Sequence, residues 1–210
     1  MEDNADLKKA CSILVRFFVY GGALLAIAKI IEFDMTRQSV KENSLVEISQ
    51  ELIVLFTAIV AGVTGFRYAQ IRTAAYVFAA IAVVSLIREL DGFLETHLFE
   101  YAWQLFAFCV VLPTLWFVFR NLSRFVSQIS HLSNTFAFGL LFSGTLVVYV
   151  FARLFGRAVI WKALMTEEKY MRSVKDVAEE GIELLGYAII LMGTVELFLL
   201  CLPSPNAPLE

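Results

Sequence analysis

Long apolar runs, broken by short polar turns, dominate the chain from end to end. A helix needs about 20 apolar residues to cross the hydrocarbon core of a bilayer. Six stretches reach or approach that length: 13–33, 47–66, 74–87, 101–119, 134–155 and 180–202. Arg16 and Lys29 interrupt the first, each near one end, where a long basic side chain can snorkel to water. The third is short unless Arg72 and Arg88 mark its two interfaces. Pro113 falls inside the fourth, where a kink is expected. No strand alternation and no tandem repeat is visible. The pattern predicts an all-α fold, a polytopic membrane helix bundle of about six transmembrane helices.

The polar stretches refine this picture. Residues 120–133 are amphipathic and are expected at the membrane interface. The longest connection joins the fifth and sixth spans; Thr166-Glu167-Glu168 reads as a helix start within it, with Glu168 and Arg172 paired four apart. From there one long helix, or two in tandem, would run over 167–202. Residues 1–12 are expected to be an N-terminal tail, 13–202 a single transmembrane domain and 203–210 a disordered Pro-rich tail ending in a remnant of cloning. Ala58, Gly62 and Gly65 on the second span, with Gly139 and Ser143 on the fifth, are candidates for close helix contact.

Composition agrees with the runs. The 210 residues are 59% hydrophobic, with a net charge of −3. Nothing basic points to nucleic acid, so the expected partners are the lipid bilayer and a second copy of the chain. Cys11, Cys109 and Cys201 are isolated, which suits small buried hydrophobes rather than a disulfide framework. Basic residues are nearly even between the two sides of a six-span topology. The first helix therefore decides, and Lys8, Lys9 and Arg16 are expected to place both termini in the cytoplasm.

The acids are less even, and most of the 20 fall on the side away from the termini. Asp176, Glu179, Glu180 and Glu183 lie at i, i+3, i+4 and i+7, hence on one helix face leading into the last span. Like charges four apart destabilise a helix unless something compensates. Arginines from other helices, protonation or a bound cation would each do so. Tyr187 lies one turn deeper. At the start of the second span Glu47, Gln50 and Glu51 share a face, and Glu51 sits a turn deeper than capping requires. The third span ends in Arg88-Glu89-Leu90-Asp91, followed by Glu95 and His97, with carboxylates set against the helix dipole. Arg153, near the end of the fifth span, is the counter-charge available to all of them.

Glu51, Glu89, Asp91, Glu179, Glu180 and Glu183 thus form a candidate cation-binding cluster. Arg88, Arg153, Gln50, His97 and Tyr187 would tune it or pair with it. Carboxylates with an amide suit a hard divalent cation such as Mg²⁺, Ca²⁺ or Mn²⁺, for which Glu51, Asp91, Glu180 and Glu183 are the candidate ligands. With two histidines, His97 and His131, zinc and di-iron chemistry are poorly supplied. No nucleophilic triad order or phosphate loop is visible, so no catalytic residue is assigned.

The pieces Glu42-Asn43-Ser44-x-x-Glu47-x-x-Gln50, Arg88-Glu89-x-Asp91 and Glu179-Glu180-x-x-Glu183-x-x-Gly186-Tyr187, with His97 and Trp103, resemble a group of uncharacterised bacterial multi-pass membrane proteins. The resemblance covers about residues 40–190 and implies no activity. It implies that the second, third and sixth spans act together. Three functions remain open. The cluster could bind or conduct a proton or hard cation. It could be the structural acid–arginine lattice of a non-catalytic scaffold or sensor. It could also serve a metal-dependent enzyme acting on a lipid headgroup.

Overall fold

The computed structural model of the chain describes residues 2–36, 44–165 and 172–202, and among these it is helical with no strand. Thr166-Glu167-Glu168, Glu42, Asn43 and the tail from 203 lie outside the described residues. Helix α1 runs Glu2–Thr36, α2 Leu45–Arg67, α3 Arg72–Glu89, α4 Asp91–His97, α5 Ala102–Arg120 and α6 Leu122–Leu132. Then come α7 Phe136–Leu146, a π-helical turn Val147–Ala152, α8 Arg153–Phe155, α9 Ala158–Leu164 and α10 Arg172–Cys201. Six helices among the described residues are long and apolar enough to cross a membrane, α7, the π turn and α8 forming one of them. The chain is thus an all-α bundle compatible with an integral membrane protein.

Helix α10 is the axis of the bundle. Over its apolar stretch 56% of residues are buried, against 6% for α1 and α5. It packs on α7, α2 and the π turn, while α2 packs on α3 and α3 on α5. The outward faces of the peripheral helices stay apolar, with Phe17, Phe18, Phe66 and Phe119 all exposed. In water such faces would be a liability. Against acyl chains they are the expected surface, because hydrocarbon offers no polar partner. Buried hydroxyls meet the same constraint by turning back on their own helices. Thr57 donates to the Ile53 carbonyl (2.8 Å), Ser85 to Ile81 (3.0 Å) and Thr194 to Ile190 (2.9 Å).

The contact between α7 and α10 depends on two glycines. A Cβ on Gly193 would lie 2.8 Å from the Leu141 backbone nitrogen, and one on Gly144 2.9 Å from the Gly186 carbonyl oxygen. The two backbones therefore touch. The expected site of close contact, Gly139, has nothing within 4 Å of the equivalent position, and neither has Gly62. Spacing alone could not distinguish a glycine facing a helix from one facing lipid.

Helix α6 is amphipathic, as its sequence predicts, and its apolar side faces protein. Gln128 and Leu132 are buried, and Gln128 Oε1 accepts from the Ala74 backbone N–H (3.0 Å) at the start of α3. Cys201 is buried, whereas Cys11 and Cys109 are exposed on outward faces.

Gly193→Ala should lower stability by about 2 kcal/mol, because backbone cannot move aside as a side chain can. Gly139→Ala should leave stability unchanged or slightly higher. Thermal unfolding of both variants in detergent checks the pair.

Candidate functional site

The site lies where the start of α2, the end of α3, the π turn with α8, and the start of α10 meet. Each of these elements brings a different group. Ser44 caps α2 by accepting from the Glu47 N–H (3.1 Å), which orients the first turn of that helix. Gln50 is then directed at α10, where its Nε2 donates to the Glu180 carbonyl (2.9 Å) and carboxylate (3.0 Å). Gln50 is fully buried, and its Oε1 has no hydrogen-bond partner among the described residues.

Glu183 is the centre of the network. It is 2% exposed. Arg88 Nη2 from α3 donates to its Oε2 (3.0 Å), and Arg153 Nη2 from α8 donates to its Oε1. The same Arg88 nitrogen donates to Glu89 Oε1 (2.6 Å). The Tyr187 hydroxyl, one turn below Glu183, donates to that Glu89 oxygen as well (2.7 Å). Arg153 Nη1 reaches Glu179 (3.0 Å), and Lys175 bridges Glu179 (3.1 Å) and Asp176 (2.9 Å). Three acids of the like-charge face of α10, Asp176, Glu179 and Glu183, are therefore neutralised: within the helix by Lys175, from α3 by Arg88 and from α8 by Arg153, while Glu180 keeps only its bond from Gln50. The π turn continues directly into α8. A one-residue widening rotates the residues beyond it about the helix axis, a common device at functional positions.

Of the residues singled out from sequence, Glu89, Glu179, Glu180, Glu183, Arg88, Arg153, Gln50 and Tyr187 come together here. Glu51 stands at the edge, in the field of Glu47 and Glu89, with no basic partner among the described residues. Asp91 does not join them. It is exposed on α4, where its carboxylate accepts from the Gly92 N–H (2.6 Å). His97 is also exposed, stacked on Phe93 at 4.3 Å and bonded to the Phe93 carbonyl. Leu90 ends α3, so Asp91 begins a new helix that leaves the face carrying Arg88. Among the described residues no group of three or more His, Cys, Asp or Glu side chains is placed to hold a metal ion. Glu51, Asp91, Glu180 and Glu183 therefore offer no convergent coordination sphere.

Three polar contacts carried no clear signal in the sequence. Asp34, buried at the end of α1, accepts from the Val46 N–H (2.8 Å) and so caps α2 from another helix. The hydroxyls of Ser85 and Tyr149 pair at 2.6 Å, joining α3 to the π turn. At the opposite end of the bundle, buried Glu196 takes Arg16 (2.7 Å) and Tyr20 from α1, so that this acid in an apolar run serves a neighbouring helix. Arg16 and Tyr20 share a helix face four apart.

The chain matches no protein-family model, no curated protein and no solved structure. Its function must therefore be argued from the site itself.

Tyr187→Phe removes one hydrogen bond to a charged acceptor and should cost about 1–2 kcal/mol while leaving the helix content intact. Circular dichroism with thermal unfolding reads both.

Proposed function

We propose that the protein is a non-catalytic integral membrane scaffold or sensor, in which the acid–arginine lattice locks the second, third and fifth spans onto the sixth. One observation carries this reading: buried Glu183 accepts from arginines on two different spans at once. A carboxylate in that position would be costly alone, and neutralisation by both neighbours makes it a three-helix clamp. Glu89 and Glu179 are likewise paired.

Glu183→Ala should therefore lower stability by about 3 kcal/mol, since it leaves two guanidinium groups facing each other. Glu183→Leu combined with Arg153→Leu, Arg88→Met and Glu89→Gln should recover much of that loss, because the clustered charges are then removed together while Glu179 keeps Lys175. A stable, well-folded Glu183→Ala protein would refute the clamp.

Binding of a proton or a small monovalent cation is the second reading, favoured by a separate observation. The Glu180 carboxylate takes a hydrogen bond only from Gln50 among the described residues, and the orphaned Gln50 Oε1 lies on the same side chain. So few oxygen ligands suit a proton or a monovalent ion, and a divalent metal would want more. Under this reading Glu180→Gln abolishes proton or Na⁺ uptake into proteoliposomes with no fall in unfolding temperature. Unchanged uptake in that variant excludes it.

A further inference from the structure

Directly beneath the lattice the bundle is not filled. Helices α2 and α10 pack on one another, and α3 and α7 stand on either side of them without being packing partners themselves. Between α3 and α7 lies a cleft of about 200 Å³, lined by Ile81, Ala82, Leu141, Phe142, Thr145 and Ile190 among others. Ile81 and Phe142 are exposed near the middle of their apolar spans, so the cleft opens on the outward face of the bundle. A dry apolar cavity of about 150 Å³ is enough to take up benzene. This one accommodates several methylene groups. The buried hydroxyls along it do not make it a polar site. Thr57, Thr145 and Thr194 each donate to a carbonyl of their own helix.

The polar end of the cleft is as informative as its walls. Ser85 and Tyr187 line it, and Tyr149 closes on Ser85. One helical turn further, every wall carries a charged group. Val54 on α2 is followed by Glu51, Ser85 on α3 by Arg88, Tyr149 by Arg153 and Tyr187 on α10 by Glu183. Arg88 uses only Nη2 on its partners. Its Nε–H and Nη1 groups donate to no described residue, and the side chain keeps 24% of its exposure. Nη1 thus keeps N–H groups that can donate singly to a phosphate oxygen. Glu51, without a basic partner among the described residues, supplies the opposite charge on the neighbouring helix.

We propose that the cleft between α3 and α7 binds an aminophospholipid from the surrounding bilayer, with one acyl chain between the two helices, its phosphate on the unused Nη1 of Arg88 and its ammonium toward Glu51. A zwitterionic head suits a mixed rim of this kind. A purely anionic head would place uncompensated charge beside Glu51 and Glu89, and a head without phosphate would leave Arg88 unused.

The full-length chain, delipidated in detergent, is mixed with phosphatidylethanolamine, phosphatidylglycerol or diacylglycerol of the same chains, and bound lipid is counted by native mass spectrometry. One phosphatidylethanolamine per chain is expected, retained about tenfold better than either other lipid, as befits one charge-assisted contact. Ala82→Phe and, separately, Thr145→Phe fill the cleft and should abolish that retention. Equal retention of all three lipids, or undiminished retention in a filled variant that melts as the parent does, overturns the proposal. A diazirine placed in the acyl chain of phosphatidylethanolamine gives a direct reading on the unmodified protein. Crosslinks concentrated on residues 78–85 and 138–145 support the site; labelling spread evenly over α1 and α5 refutes it.

Discussion

A buried carboxylate at the edge of a hydrocarbon layer must be neutralised, and most of the architecture at one end of this bundle depends on Glu183. Its two oxygens are taken by guanidinium groups from two spans far apart in the chain. Those bonds set how far α3 and α8 can slide along α10. With the register set, Tyr187 meets Glu89 one turn deeper and Gln50 reaches Glu180 from α2. Hydrophobic packing would not impose this register, because lipid tails are as apolar as the helix surfaces. Polar bonds and close backbone contact at Gly144 and Gly193 supply the specificity instead.

The same logic explains α1. Its apolar stretch is almost wholly exposed, so packing holds it only loosely. Polar contacts secure it at both ends. Asp34 caps α2 near the lattice, and Arg16 with Tyr20 meets Glu196 at the far side. A peripheral span is thus tied to the axis by ionisable groups near the two membrane faces, where desolvation is partial and charges are tolerated.

Gathering charge into one layer has a consequence for the layer beneath. Below Arg88 and Glu183 lies an opening between α3 and α7, and acyl chains of a surrounding bilayer would be the nearest source of atoms to fill it. A lattice that rigidifies the bundle and a cleft that admits a lipid chain are compatible. The first uses Arg88 Nη2, and the second uses Nη1 of the same guanidinium.

By itself, the sequence determined the six apolar helices, the amphipathic segment before the fifth span and the grouping of carboxylates at one end. Hydrophobic length and charge position are local properties, readable from spacing along a single helix. Arg88, Arg153, Glu183 and Tyr187 stood out for the same reason, as ionisable groups in runs that otherwise exclude them. Tertiary structure alone decided which of them meet. Asp91 looked equivalent to Glu89, yet α3 ends at Leu90 and carries Asp91 away into solvent. Gly139 stood out by its spacing, yet it is Gly144 that meets α10. Asp34, the Ser85–Tyr149 pair and the cleft had no signature, because each depends on atoms brought together from different helices. Pairing across helices depends on rotation about each helix axis, and a chain whose every face is apolar does not encode that rotation in its hydrophobic pattern.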